Sequence, residues 1–115
     1  MRSVLRALAD VPGVRGSMVV TIDGIVVDSL LGRSLREEIV GAMAASLILG
    51  TKRAVEATER TFESFALVST HGKMIVADTG SAFLVVVLDR NIDIGHAELE
   101  IRSAVRKVKS IGEGT

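Results

Sequence analysis

Apolar residues recur along this chain at two spacings, one typical of helices and one typical of strands. Near the N-terminus, Val4, Leu5 and Leu8 lie at helical spacing. Pro12 ends this pattern, because proline lacks a backbone donor and biases the residue before it away from the helix. We therefore expect a short helix before Pro12.

Strand-like runs occupy two regions of the chain. The segment 14–31 is rich in β-branched residues, and the pair Asp23-Gly24 in its middle is typical of a two-residue hairpin turn. Three further runs follow at 65–70, 73–79 and 82–88, separated by short glycine-containing turns. The last run is apolar at every position, so we expect it in the middle of a sheet with layers on both faces.

Two long segments predict helices that cover this sheet. Ser34 is a candidate N-cap with Glu37 three residues later, a capping box, and the helical pattern continues to about Arg60. Asp93 is a candidate cap for a final helix, in which apolar residues step by three and four. These residues are Ile94, Ala97, Ile101, Ala104, Val105, Val108 and Ile111. The predicted order of elements is αββαβββα.

The long helix carries more apolar surface than one core needs. At 100° per residue, one arc is expected to lie on the sheet of its own chain. This arc comprises Ile39, Met43, Leu47, Gly50, Ala54 and Ala57. The opposite arc also has an apolar part, made of Gly41, Ala45, Ile48 and Leu49. We expect this second arc to contact another helix, the simplest partner being a copy of the same helix.

A second interpretation of that arc remains open. Alanine is a good helix former, and scattered exposed apolar side chains need no partner. If the arc is an interface, a charge in place of Leu49 or Ile48 should give a monomer or an unfolded chain.

The composition narrows the class of protein. A chain of 115 residues suits one core, so we expect a single domain over 1–115. Fourteen Lys and Arg balance fourteen Asp and Glu, and the aromatic residues are three Phe, which argues against nucleic acid as a partner. There is no cysteine. The longest uncharged apolar stretch, 39–50, is too short to span a bilayer, so we expect no membrane insertion and a cytoplasmic location.

The residues also give no indication of catalysis. His71 and His96 lie in a predicted turn and on the polar side of the final helix, and neither has metal-ligand spacing. The pair Gly72-Lys73 lacks the rest of a phosphate-binding loop, and the glycines of 13–16 precede a strand, where a dinucleotide fingerprint must follow one. We predict that the protein is not an enzyme and has no cofactor or metal.

Charged residues line the second half of the long helix. Glu56, Glu59 and Glu63 recur along one face beside Lys52 and Arg60, and Glu56 and Arg60 have the spacing of a favourable ion pair. This pattern is typical of a solvated helix face. It also fits a charged rim around the binding site of a protein partner.

Five segments together resemble the roadblock/dynein light chain family, including its prokaryotic MglB-like members. The segments are Leu8–Ser17, Asp23–Val27, Gly72–Val76, Phe83–Val87 and Asn91–Ala97, and their order and spacing match over nearly the whole chain. The resemblance implies an α+β, roadblock/profilin-like fold, with a five-stranded antiparallel sheet sandwiched between one long helix and two terminal helices. This agrees with the order αββαβββα.

The resemblance also implies a homodimer. Members of that family dimerise through the long helix and the strand after it, which correspond here to 39–49 and 65–70. The interface residues expected on this basis are Ile39, Gly41, Ala42, Ala45, Ser46, Ile48, Leu49, Phe65 and Leu67.

Dimers of that family serve as platforms for Ras-like small GTPases, and MglB-like members accelerate GTP hydrolysis without donating a catalytic side chain. The resemblance implies a non-catalytic regulator or scaffold that binds such a GTPase. The candidate contacts to the GTPase are Arg36, Lys52, Arg53, Glu56 and Glu59. Two alternatives stay open: a structural assembly subunit with no effect on hydrolysis, and a small-ligand sensor.

Overall fold

The computed structural model describes residues 1–113, so the last two residues of the expected domain 1–115 lie outside the described part. The observed order of elements is αββαβββα, as predicted. The elements are α1 (Arg2–Ala9), β1 (Val14–Val20), β2 (Val26–Leu31), α2 (Glu37–Glu56), β3 (Ser64–Val68), β4 (Lys73–Asp78), β5 (Phe83–Leu88) and α3 (Ile94–Glu113).

The five strands form one antiparallel sheet with the order β2-β1-β5-β4-β3. The apolar strand β5 lies at the centre, as its sequence predicted. Side chains of neighbouring strands alternate between the two faces, so the partners Met18 and Val85 lie on one face while Val19 and Leu84 lie on the other. Both faces are buried, which is why β5 carries no polar position.

Each face of the sheet has its own core. Helices α1 and α3 cover one face, and α2 covers the other, which confirms the predicted sandwich. The core beneath α1 and α3 comprises Val4, Leu5, Leu8, Val19, Ile75, Ala82, Leu84, Val86, Leu88, Ala97, Ile101, Ala104 and Val108. The core beneath α2 comprises Met18, Val20, Val40, Ala44, Ile48, Met74, Val76, Phe83 and Val85.

The turn between β1 and β2 differs from the expected two-residue hairpin. Thr21 N–H donates to Ile25 O at 2.9 Å, so three residues lie in the loop. Gly24 N–H donates to Thr21 O at 3.0 Å, and Gly24 adopts φ +87°. A turn followed by a left-handed glycine is the usual three-residue solution, so the Asp23-Gly24 pair marks the hairpin but not its loop length.

Helix α3 begins as predicted. Gly95 N–H donates to Asp93 Oδ1 at 3.0 Å, which satisfies one of the backbone donors at the helix start. Four of the predicted inward residues are buried, namely Ala97, Ile101, Ala104 and Val108. Ile111 was expected on the same stripe but is 45% exposed, near the helix end.

The predicted capping box at the start of α2 is wrong. The helix begins at Glu37 with Arg36 as N-cap, and no side chain caps it. Ser34 Oγ instead accepts a hydrogen bond from Arg15 Nη2 at 2.6 Å, and Glu37 Oε1 accepts one from Ser29 Oγ at 2.7 Å. Both side chains therefore tie the helix start to strands β1 and β2, contacts that no local pattern indicates.

Helix α2 also ends earlier than expected, at Glu56 and not near Arg60. The chain turns because Glu59 adopts the left-handed conformation, with φ 60°. Arg60 N–H then donates back to Val55 O at 3.4 Å, which satisfies a carbonyl at the helix end. Glycine usually occupies such a position, since a side chain there is strained.

We therefore predict that Glu59→Gly stabilises the domain. Relief of strain exceeds the entropy cost of glycine, and the expected gain is about 0.5–1 kcal/mol. Urea denaturation followed by circular dichroism measures this gain. The matched control is Thr58→Gly, because Thr58 is not among the residues with positive φ and its Oγ1 donates to Val55 O at 2.6 Å. The control should lower stability, and equal effects of the two substitutions would contradict the role of Glu59.

Candidate functional site

The inward face of α2 is narrow and fully packed. Its buried residues are Val40, Gly41, Ala44 and Ile48, of which Ala44 and Ile48 have no exposed surface. Ile48 belongs to the core formed with the sheet residues Met18 and Val85. This face holds α2 on the sheet of its own chain.

The hairpin between β1 and β2 lies against one flank of α2. A Cβ on Gly41 would lie 3.4 Å from Val26 Cγ2, and a Cβ on Gly24 would lie 3.0 Å from the Cβ of Ala45. Gly24 and the small side chain of Ala45 therefore allow the hairpin of the same chain to approach the helix closely, whereas a Cβ at 41 would make only an ordinary contact with Val26.

The predicted faces of α2 were consequently wrong. Gly41, Ala45 and Ile48 were expected to face outward, but Gly41 and Ile48 are buried in their own domain and Ala45 is half-buried beside the hairpin. Ile48 thus has no exposed surface to offer a second copy, and Gly41 is buried by its own chain. A helical wheel gives relative angles only, and small residues fit a hairpin as well as they fit another helix.

The arc that was expected to face the sheet lies mostly in solvent. Ile39 is 53% exposed and Met43 is 43% exposed, while Leu47 is half-buried. The remaining members, Gly50, Ala54 and Ala57, are also exposed. We call Ile39, Met43, Leu47 and Gly50 the outer flank of α2. At 100° per residue it lies opposite the flank that touches the hairpin.

Three other predicted interface residues of α2 are exposed. Leu49 is 43% exposed, and Ala42 and Ser46 lie beside it on the outward side of the helix. Their surface is available for a partner. Within the chain, α2 therefore carries one buried face and a largely apolar outward surface in its first half.

Strand β3 forms one edge of the sheet, next to β4 alone. Asp78 N–H donates to Glu63 O at 2.8 Å, and Ser69 N–H donates to Gly72 O at 2.9 Å. Because backbone direction alternates along a strand, the odd-numbered residues of β3 bond to β4. The backbone groups of Ser64, Ala66 and Val68 consequently point away from the sheet. We call this row the β3 edge.

The side chains of β3 are also largely uncovered. Leu67 is 39% exposed and Val68 is 62% exposed, while Phe65 is half-buried against the core beneath α2. The ring centroids of Phe65 and Phe62 lie 5.4 Å apart, edge to face. This contact anchors the start of β3 beside α2. Together the outer flank of α2, Phe65, Leu67 and the β3 edge make the surface that we call the apolar seam.

The five predicted charged contacts do not form one cluster. Lys52, Arg53 and Glu56 lie on the second half of α2, where Lys52 Nζ is 3.8 Å from Glu56 Oε1. The expected pairing of Glu56 with Arg60 is wrong, because Arg60 lies beyond the helix end. Arg36 is exposed at the start of α2, roughly 24 Å from Lys52 along the helix axis, and Glu59 is exposed beyond its end.

The apolar seam also contains residues that were not among the interface residues expected from the sequence, namely Met43, Leu47, Gly50, Ser64, Ala66 and Val68. The available signal was the short segment 64–68, in which apolar residues stand at adjacent positions. In an edge strand, such a pattern leaves apolar side chains exposed on both faces.

Among the described residues 1–113, no three His, Cys, Asp or Glu side chains are grouped so as to hold a metal ion. No helix there combines the length and the apolar character required to cross a membrane. His71 is exposed, with Nδ1 2.8 Å from Thr70 Oγ1.

A single antiparallel sheet, with one long helix on one face and both terminal helices on the other, places the chain in a known class of α+β domains. The family model described as Roadblock/LC7 domain matches residues 2–89. The uncharacterized protein MJ1340 of Methanocaldococcus jannaschii is 36% identical over 109 residues, which cover 94% of this chain and 96% of that protein. The chain belongs to the Roadblock/LC7 family.

Solved structures agree with this fold. A Roadblock/LC7 domain from Streptomyces avermitilis superposes with a TM-score of 0.89 at 16% identity, covering 99% of this chain and 98% of that one. MglB of Myxococcus xanthus superposes with a TM-score of 0.86 at 17% identity, covering 96% of this chain and 86% of that one. At these identities the likeness concerns the fold.

Proposed function

We propose that this chain forms a homodimer through the apolar seam, and that the dimer is a non-catalytic platform for a Ras-like small GTPase. The observation that carries the proposal is the position of the β3 edge beside an exposed apolar flank of α2. Membership of the Roadblock/LC7 family supports it, because the resemblance to that family implies both self-association and a GTPase partner.

The seam has the properties of a two-fold interface. Two β3 strands can pair antiparallel about a two-fold axis, because the same row of backbone groups then meets itself. Ala66, at the middle of β3, would lie near that axis. The exposed side chains of Ile39, Met43 and Leu67 would become buried together on the α2 face of the paired strands, and their burial favours association.

The outward side of α2 supports a site for the GTPase. Arg53, Lys52 and Glu56 lie outside the apolar seam, so they would stay accessible in the dimer. The dimer would then present two copies of this charged group to the GTPase. Charged groups around a contact determine specificity and association rate more than affinity.

The test is binding to a Ras-like GTPase encoded beside the gene, loaded either with GDP or with a non-hydrolysable GTP analogue. We expect tighter binding in the GTP-bound state, measured by isothermal titration calorimetry. Arg53→Glu should weaken this binding at least about tenfold, since it reverses a contact charge. Arg106→Glu on α3, across the sheet, is the matched control and should leave the affinity unchanged.

Two binding outcomes and one hydrolysis assay distinguish the possible functions. Failure to bind in both nucleotide states would remove the GTPase from the proposal. Equal binding in both states would indicate a structural assembly subunit. Release of phosphate from the GTP-loaded GTPase, with and without this protein, measures whether hydrolysis is stimulated.

A further inference from the structure

The two edges of the sheet differ in how their outward backbone groups are occupied. Directly after β2, Gly32 N–H donates to Arg15 O at 2.8 Å, so the even-numbered residues at this end of the strand bond to β1. Ser29, between them, directs its backbone groups outward. Ser29 N–H donates to Asp28 Oδ1 at 2.9 Å, and Ser29 O accepts a hydrogen bond from Arg2 Nη1 at 2.7 Å.

Arg2 and Asp28 also hold each other. Arg2 Nη2 lies 2.8 Å from Asp28 Oδ1, and the Asp28 side chain is only 18% exposed. One guanidinium thus binds a carbonyl and a carboxylate at once, and the same carboxylate binds the amide of Ser29. We call Arg2, Asp28 and the backbone of Ser29 the β2 clamp. It occupies both groups that an incoming strand would use at the middle of this edge.

The backbone of β2 is irregular beside the clamp. Val20 pairs with Val26 and Val19 pairs with Asp28, so Val27 is an extra residue in the strand. Such a bulge increases the local twist and opposes pairing with a flat partner strand. Nevertheless Ile25 is 64% exposed and Val27 is 53% exposed. Burial of these apolar side chains would favour pairing with another strand, but the backbone groups at the middle of this edge are already occupied.

The β3 edge has none of these features in the described part of the chain. Its strand pairs with β4 without a shift in register over Ser64–Val68. The two edges carry similar apolar side chains, and among residues 1–113 only β2 has a clamp. Continuous pairing at both edges would join chains into an open array, whereas pairing at one edge stops after two copies.

We propose that the β2 clamp closes this edge of the sheet and thereby limits self-association to two copies. The inference rests on the proposed pairing of β3 with a second copy of this chain. Arg2 and Asp28 are then assembly-limiting residues, and removing them gives the sheet a second open edge.

The experiment compares four proteins by light scattering after size exclusion, over a range of concentrations. The wild type should form two-copy particles, and Arg2→Ala with Asp28→Ala should form larger particles. Ala66→Pro should be monomeric, because proline removes an outward N–H from β3 but is tolerated on an edge strand. Combining all three substitutions should restore a two-copy particle, now joined through β2.

The triple variant distinguishes edge pairing from loss of the fold. Misfolded chains would aggregate without limit whether or not β3 carries proline, and that result would overturn the proposal. The proposal would also be overturned if the Arg2→Ala/Asp28→Ala protein stayed at two copies. Arg2→Met, which keeps the aliphatic stem on α1, should also form larger particles. Arg6→Ala, one turn further along α1, is the matched control and should behave as the wild type.

The same measurements separate this inference from the proposed function. A monomeric wild type would contradict pairing through β3. Dimerisation of the clamp variant in that case would still support closure of β2, whereas a monomeric clamp variant would contradict both.

Discussion

Replacing Ile48 with lysine is expected to unfold the domain. Ile48 has no exposed surface and belongs to the core between α2 and the sheet. The substitution removes a buried apolar side chain and places an unpaired charge there, which together cost about 3–5 kcal/mol or more. Domains of this size have a total stability of about 5–15 kcal/mol. Circular dichroism should show a chain that is already unfolded at 37 °C and has no cooperative thermal transition, or a transition whose midpoint is much lower than that of the wild type.

Leu49→Lys is the matched control for this prediction. Leu49 is the next residue along α2 but is 43% exposed, so its substitution should leave the transition nearly unchanged. The pair therefore tests the orientation of the helix. A folded Ile48→Lys protein together with an unfolded Leu49→Lys protein would mean that α2 is rotated from the orientation described above.

Replacing Met43 with glutamate is expected to convert the dimer into a folded monomer. Met43 is 43% exposed on the outer flank of α2, so the chain alone tolerates a charge there. In the proposed dimer, two carboxylates would be buried in the seam without partners. This should cost about 3–5 kcal/mol, which corresponds to a roughly hundredfold to several-thousandfold weaker association.

Analytical ultracentrifugation measures the dissociation constant, and circular dichroism verifies the fold. Leu99→Glu is the control, since Leu99 is 64% exposed on α3, on the other side of the sheet. It should leave self-association intact. A Met43→Glu protein that dimerises as tightly as the wild type would exclude the outer flank from the interface.

Much of the fold was predictable because its elements follow simple periodicities. The apolar run at β5 indicated a central strand, and the structure places it between β1 and β4. The cap at Asp93 and the apolar stripe of α3 followed from helical spacing alone. These features depend on residues close together in sequence, which is the range over which such patterns are reliable.

The orientation of α2 was not predictable in the same way. Two opposite arcs of α2 are both apolar, so the pattern of apolar residues does not indicate which arc packs on the sheet. In the structure the hairpin at Gly24 packs closely against α2 at Ala45, a contact between residues distant in sequence that helical periodicity does not reveal. Ser34 and Glu37 likewise bind residues of β1 and β2, so their real partners are distant in sequence.

The order of the strands has a consequence for how the chain reaches its native state. Val20 and Phe83 are partners in the centre of the sheet although about sixty residues separate them, whereas the other three strand pairs are consecutive in sequence and are joined by short connections. Closing so long a loop costs entropy before any contact repays it. We therefore expect the early hairpin and the later meander to organise locally, and the pairing of β1 with β5 to form late and join the two halves into one cooperative unit.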